Sequence, residues 1–329
     1  MQPVLTNPIS DRPHGFTAAT TPNCYPSRHR TDRSRLDRLA IEVARWVPVV
    51  ALLLLVILIG QWLAPWLFMW ATLSAIVASA KWLTWSDCSW ATRRRLWLSV
   101  GYCVAWPGLD ARRFLGETRV AVRAPSQAEW WQAIAKTLMG VVLIWVVARS
   151  VPAQWTLLRG WVGMVGLAFA LHFGLFDVLS LIWRSAGVAA EHIFCVPIAA
   201  RSVSEFWSKR WNLAFREVAY DYVFTPARRW VPPVWASLLT FLVSGLIHEL
   251  VISLPVRSGF GFPTVYFLLQ WLGVIMERSP VGRRLGLRRG MIGRAFAVAV
   301  VVLPVGLLFH PAFLTGAFVP FLVAIGASR

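Results

Sequence analysis

Apolar residues fall along this chain in long blocks separated by short, arginine-rich stretches. A helix rises 1.5 Å per residue, so about 20 apolar residues are needed to cross a hydrocarbon layer. Such blocks lie near 47–64, 66–84, 132–150, 157–183, 233–255, 260–276, 293–310 and 312–327. They predict an all-α polytopic membrane protein with about eight transmembrane helices. Two further runs, 96–107 and 188–200, are too short to cross and read as re-entrant segments. Residues 1–45 are polar and rich in Arg, Pro and Thr. They predict a basic, disordered tail ahead of a membrane-embedded domain over 46–329. A cleavable signal peptide would bring its apolar region sooner.

Composition agrees with this layout. The 329 residues are 57% hydrophobic and include 20 Trp, a residue that favours membrane interfaces. The net charge of +18 raises the question of nucleic acid, but the cations are dispersed between apolar blocks, which excludes that reading. With the tail in the cytoplasm, residues 85–131, 184–232 and 277–292 share its side and collect most of the basic residues. The opposite loops hold only Arg257. That asymmetry places the N-terminus inside. Cys24, Cys88, Cys103 and Cys195 have no metal-binding or redox spacing. No repeat of 20–50 residues and no symmetric pair of broken helices stands out, which weakens an inverted-repeat transporter.

One block carries ionisable residues near its middle. Residues 233–255 contain Ser244-Gly245-Leu246-Ile247-His248-Glu249. An ionisable group inside a membrane is costly and marks function unless it is structurally paired. Ser244 is one turn before His248 on the same face, so its side chain is placed to orient the imidazole, and Gly245 leaves room beside the ring. Glu249 projects about 100° away. The structural alternative is a histidine that joins two helices by a hydrogen bond. A zinc-protease HExxH motif is excluded, because position 252 is Ile.

A second stretch, Ser202 to Asn212, interleaves aromatic and charged residues. Trp207 and Trp211 are four apart, as are Phe206 and Arg210, so a helix here has one apolar and one mixed stripe. Ser204 is a candidate start for that helix. By spacing alone the stretch reads as an interfacial amphipathic helix. A third stretch, Trp106-Pro-Gly-Leu-Asp-Ala-Arg-Arg-Phe114, reads as a turn and a basic loop with no chemistry of its own.

Together these stretches resemble the membrane-bound O-acyltransferase superfamily, most closely its wax-synthase-like branch. The resemblance rests on Phe206-Trp207-Ser208-Lys209-Arg210-Trp211-Asn212 followed by Ser244-Gly245-Leu246-Ile247-His248-Glu249. The segment 106–114, His172 to Asp177 and Leu308-Phe-His310-Pro add weaker matches, so it covers about 100–329. Ser253-Leu-Pro255 is also similar to the sterol and diacylglycerol branches of the superfamily.

The resemblance implies helices enclosing a buried reaction chamber and transfer of an acyl group from acyl-CoA to a hydrophobic alcohol. His248 corresponds to the catalytic histidine, as general base, and Asn212 to a polar stabiliser. Phe206, Trp207, Arg210, Trp211, Ser244 and Glu249 are supporting or substrate-binding. Arg201, Lys209, Arg210 and Arg216 are placed to attract the CoA phosphates. No metal and no bound cofactor are implied. The partners are acyl-CoA, the alcohol, membrane lipids and, as a candidate, a second copy of the chain. The membrane is the bacterial inner membrane or the endoplasmic reticulum. The alternatives are an acyltransferase for another lipid or sterol hydroxyl, a transporter using His248, Glu249, Asp177 and His172, and a non-catalytic relative.

Overall fold

The computed structural model describes residues 28–328, with side chains from residue 42 onward. The expectation for residues 1–27 lies outside the described residues, whereas residues 28–45 are helical. Among the described residues every regular element is helical. Helix α1 spans Arg28–Gly60, α2 Pro65–Ser86, α3 Leu96–Ala105, α4 Gln127–Ser150, α5 Thr156–Ser185, α6 Pro233–Val256, α7 Phe262–Arg278, α8 Gly290–Leu308 and α9 Pro311–Ala324.

Among the described residues, the apolar stretch of α1 together with α2, α4, α5, α6 and α8 makes six helices long and apolar enough to cross a membrane. The other two expected blocks form α7, of 17 residues, and the shorter α9. The chain is an integral, multi-pass membrane protein. The run 96–107 becomes the ten-residue α3. Residues 188–200 stay irregular, with one short helical turn at Pro197–Ala199.

Three of the long helices and the shorter α9 are interrupted by π-helical turns, at Leu143–Val147, Ala168–Leu175, Glu249–Ser253 and Leu314–Phe318. A π-turn inserts a residue into the helical register and re-aims the side chains around it, and such turns concentrate at functional sites. The interior is built by close helix contacts over small residues. A Cβ on Gly140 of α4 would stand 2.2 Å from the Ala170 backbone nitrogen of α5, so only glycine permits that approach.

The segment 106–114 owes its shape to a buried lysine. Lys81 of α2 is 4% exposed, and its Nζ donates to the carbonyls of Tyr102 (2.8 Å), Trp106 and Gly108 (both 2.5 Å). It also lies 3.8 Å from the centroid of the Tyr102 ring. The end of α3 leaves carbonyls without helical partners, and a cation completes them. The chain then turns at Pro107-Gly108, and Asp110 caps a short helix by accepting from the Arg113 amide at 2.9 Å. Lys81 had no place in the sequence-level account of this motif; the structure makes it the anchor.

Candidate active site

His248 closes the α-helical part of α6, immediately before the π-turn Glu249–Ser253. Its Nδ1 lies 2.7 Å from the carbonyl oxygen of Ser244. A carbonyl only accepts, so Nδ1 carries the proton and donates, and Nε2 is left with a lone pair. The Ser244 hydroxyl does not orient the ring as expected, because it donates to the Thr240 carbonyl at 2.9 Å. A carbonyl oxygen has two lone pairs, so Ser244 can serve the helix and the imidazole together. Nε2 has no hydrogen-bond partner among the described residues, and His248 is only partly buried.

The neighbours of His248 have separate tasks. A Cβ on Gly245 would come within 2.8 Å of the Thr264 Cα, so glycine brings α6 against the start of α7. Glu249 caps that start. Its Oε1 accepts from the Gly261 amide (3.0 Å), the Thr264 amide (3.1 Å) and the Thr264 hydroxyl (2.8 Å). The first turn of a helix presents unpaired amides and a positive dipole end, which a carboxylate satisfies. Glu249 therefore fixes α7 against α6. The helix it fixes supplies Phe267, whose ring lies 4.6 Å from the imidazole.

Phe267 also joins His248 to the aromatic box. The Trp207 ring is 5.5 Å from Phe267 and 6.0 Å from Phe241. Its Nε1 donates to Gln270 Oε1 at 3.3 Å, while Gln270 Nε2 donates to the Val300 carbonyl at 2.8 Å. Trp211 engages other partners, stacking on Phe206 at 5.5 Å and meeting Phe194 at 5.1 Å. The expected single stripe of Trp207 and Trp211 fails because the stretch is not an α-helix. Ser202, rather than Ser204, caps its start by accepting from the Glu205 amide at 3.0 Å. One π-turn covers Phe206–Arg210, and Trp211 is extended. The box is folded inward as a hairpin against residues 193–195, with the Cys195 amide donating to the Arg210 carbonyl and the Leu213 amide to that of Ile193.

Arg210 holds this hairpin. It bonds Glu205 Oε1 through Nε at 2.7 Å and through a second nitrogen at 2.6 Å, and it donates to the Cys195 carbonyl at 3.1 Å. Burial raises the Glu205 pKa, but the Arg201 amide and the Arg210 guanidinium outweigh it and leave the carboxyl below its ordinary value. Asn212 adopts left-handed backbone, with φ of 44°, a region that asparagine tolerates better than most residues. Its Oδ1 accepts from the Phe215 amide at 3.4 Å, which starts the next helix. That leaves Nδ2 as the donor, without a partner among the described residues. No hydrogen bond joins Asn212 to His248 among the described residues; the link between the two motifs is the ring contact through Trp207 and Phe267.

The other polar residues inside the protein are held apart from His248. Asp177 binds Lys136 Nζ at 2.9 Å and His192 Nδ1 at 2.7 Å. Arg184 binds Glu129 at 2.9 Å and stands 3.2 Å from His192 Nε2. The Asp177 hydrogen bond raises the His192 pKa, against burial and the Arg184 charge. His172 packs on Phe194 and Phe176. Asp177, Glu249 and His248 thus have separate partners rather than one connected polar path. Among the cations expected to receive phosphates, Arg210 is tied to Glu205, and Arg216 is 3.5 Å from Glu217. Lys209 instead lines a cleft of about 570 Å³. No group of three His, Cys, Asp or Glu among the described residues could hold a metal.

Phe267 and Gln270 were missed by the sequence-level reading. Gln270, alone and polar within an apolar block, was the available signal; Phe267 had none.

Residues 190–269, which hold both motifs, match the model of the membrane bound O-acyl transferase family. Among similar proteins, probable long-chain-alcohol O-fatty-acyltransferase 2 of Arabidopsis thaliana is 33% identical over 163 residues, covering 44% of this chain and 47% of that protein. Probable long-chain-alcohol O-fatty-acyltransferase 9 of the same plant is 33% identical over 147 residues, 41% and 43% of the two chains. Long-chain-alcohol O-fatty-acyltransferase of Simmondsia chinensis is 29% identical over 167 residues, 45% and 47%. The matched part of this chain spans about half the length of these relatives. The resemblance to the wax-synthase-like branch is borne out.

Proposed function

We propose that the chain is an O-acyltransferase that moves a fatty acyl group from a coenzyme A thioester to a long-chain alcohol, with His248 as general base. The observation that carries this reading is the Nδ1–H bond to the Ser244 carbonyl, which leaves Nε2 as a lone pair beside Phe267. An alcohol is a poor nucleophile until its proton is taken, and an imidazole fixed in this tautomer is suited to take it.

In the proposed reaction Nε2 accepts the hydroxyl proton as the alcohol oxygen bonds to the thioester carbonyl carbon. The carbon–sulfur bond then breaks, and the coenzyme A thiolate leaves with the proton from the imidazolium. The Ser244 carbonyl holds the ring and favours its charged form during transfer. Asn212 Nδ2 is the donor assigned to the carbonyl oxygen as charge builds there, a neutral oxyanion-type contact. Transfer is direct, since no Ser or Cys nucleophile is required. The alcohol and the acyl chain are assigned to the side of the imidazole that carries Phe267, whose ring meets Trp207. The N-terminus and the arginine-rich loops face the cytoplasm, where acyl-CoA is supplied.

The reading is tested by lipid extracts from cells that express the chain and are fed a long-chain alcohol. Wax esters absent from vector controls are expected. Extracts with triacylglycerols or steryl esters raised instead would move the acceptor, and extracts with no new ester of any class would contradict the transferase reading.

A further inference from the structure

The cleft of about 570 Å³ lies beside the aromatic box but on its charged face. Its volume is within the roughly 300–1,000 Å³ usual for small-ligand sites. Two segments build it. One is the start of the box, with Ser202, Ser204, Glu205, Ser208 and Lys209. The other is the end of α7 and the loop that follows, with Arg278, Arg283, Gly286, Arg288 and Arg289.

The floor of this cleft is fixed. Glu277 is fully buried, and its two carboxylate oxygens accept from the amides of Val203 (2.7 Å) and Ser204 (3.1 Å). A Cβ on Gly293 would stand 2.4 Å from the Arg201 carbonyl, so the start of α8 is pressed onto the same segment. The loop wall is shaped by a capped turn, where the Ser279 hydroxyl accepts from the Gly282 amide at 2.9 Å, and by Gly286 with φ of 71°.

Charge in the cleft is unbalanced. Five cationic side chains line it and one carboxylate, Glu205, which Arg210 already holds. Arg278 donates to the Ser204 hydroxyl at 3.2 Å, and Arg283 to the Arg278 carbonyl at 2.6 Å. Lys209, Arg288 and Arg289 have no side-chain partner among the described residues. Like charges gathered on fixed backbone repel one another, and an anion relieves that cost. Arginine forks and serine hydroxyls together match the oxygens of a phosphate.

We infer that this cleft is a phosphate-binding site, taking a phosphomonoester or diphosphate group. Two molecules can present that group. One is an anionic lipid, and Val281 and Leu285, exposed on the same loop, with Met291 and Ile292, exposed on the first turn of α8, are suited to meet a membrane surface. The other is the nucleotide end of the acyl donor. That second source rests on the transferase reading; the phosphate chemistry of the cleft does not.

The test is binding to the full-length chain in detergent, read without turnover. One probe is adenosine 3′,5′-bisphosphate and the other is a short-chain phosphatidic acid. The variant Arg278→Gln/Arg288→Gln/Arg289→Gln is compared with Arg257→Gln, which changes a basic residue of another loop. Both are first checked for unaltered gel-filtration behaviour. If the triple variant fails that check, Lys209→Gln with Arg289→Gln replaces it.

Saturable binding of either probe is expected, competed by pyrophosphate, weakened by about tenfold or more in the cleft variant and unchanged in Arg257→Gln. Whichever probe binds identifies the source. Failure of both probes to saturate, or equal binding by wild type and the cleft variant, would overturn the proposal. Ester synthesis measured in parallel separates the two readings: synthesis without probe binding removes only the cleft, and binding without synthesis removes only the transferase.

Discussion

Two histidines of this protein, 62 residues apart in sequence, are wired in opposite ways. His310 is 1% exposed and both ring nitrogens are committed: Nδ1 accepts from the Phe313 amide at 3.2 Å, and Nε2 lies 3.4 Å from the Ser253 hydroxyl. Gly259, at φ of 74°, leaves the space the ring fills. His248 is partly exposed and only its Nδ1 is committed. A fully bonded imidazole holds chains together. One that is bonded on a single nitrogen is oriented for chemistry on the other. Burial of a polar residue therefore says little until the partners of each atom are known.

The comparison predicts that the two histidines fail differently. His248→Ala should lose ester synthesis by roughly 10²–10⁴-fold, the span of general base catalysis, while inserting and folding normally. His310→Ala should empty the buried space beside Gly259 and remove the side-chain cap, although the Phe313 amide keeps the residue 310 carbonyl at 3.0 Å, and so lower the yield of folded protein. Rates per folded molecule, measured in membranes against thermal unfolding in detergent, check both. Equal losses of rate in the two variants would erase the distinction.

Asn212 sharpens it next, because one residue holds a strained backbone, a helix cap and a proposed donor. Asn212→Ala should lose both stability and turnover, with the rate falling by roughly 10²–10³-fold if Nδ2 meets the oxyanion. Asn212→Gly accepts the left-handed backbone without strain and caps nearly as well. Turnover that stays low in the glycine variant assigns Asn212 to the reaction; turnover that returns makes it structural.

Glu249 should be on the structural side. Glu249→Ala leaves two amides and a hydroxyl unpaired at the start of α7, at about 1–3 kcal/mol each. The expected result is a lowered melting temperature together with a loosened Phe267, and a turnover loss that follows the fraction unfolded. A large drop in turnover with melting unchanged would bring Glu249 into the chemistry.

The smallest effect is expected from pH. Asp177 raises the His192 pKa in the folded protein, so protonated His192 stabilises the segment 188–196. That contribution is complete below the ordinary histidine value of about 6.5 and is lost as pH rises through the higher folded-state value. Melting measured from pH 6 to 9 should fall in wild type and flatten in His192→Gln. Parallel curves would show that the bond carries no linkage.

Much of this was legible in the sequence, and the limits have physical causes. Blocks of apolar residues identify helices because only a helix or a closed barrel satisfies backbone polar groups in lipid. They do not report length after packing, and so 260–276 and 312–327 became helices shorter than a full crossing. His248 was visible because charge in an apolar block is costly. The role of Glu249 was not, since the amides of Gly261 and Thr264 carry no sequence mark. The register of the aromatic box was misread for a similar reason. Spacing of four assumes α-helical winding, and the π-turn at Phe206–Arg210 sends Trp207 toward Phe267 and Trp211 toward Phe194. Lys81 sat in a block counted only for its apolar residues, yet its ammonium organises Trp106 and Gly108.

The central claim is that His248 Nε2 removes the alcohol proton, and chemical rescue tests it most directly. Membranes containing correctly inserted His248→Ala are supplied with labelled acyl-CoA, a long-chain alcohol and free imidazole. The account predicts almost no ester without imidazole and a partial return of synthesis with it, rising with the concentration of the neutral base. Ester formed at the wild-type rate without imidazole would contradict the account.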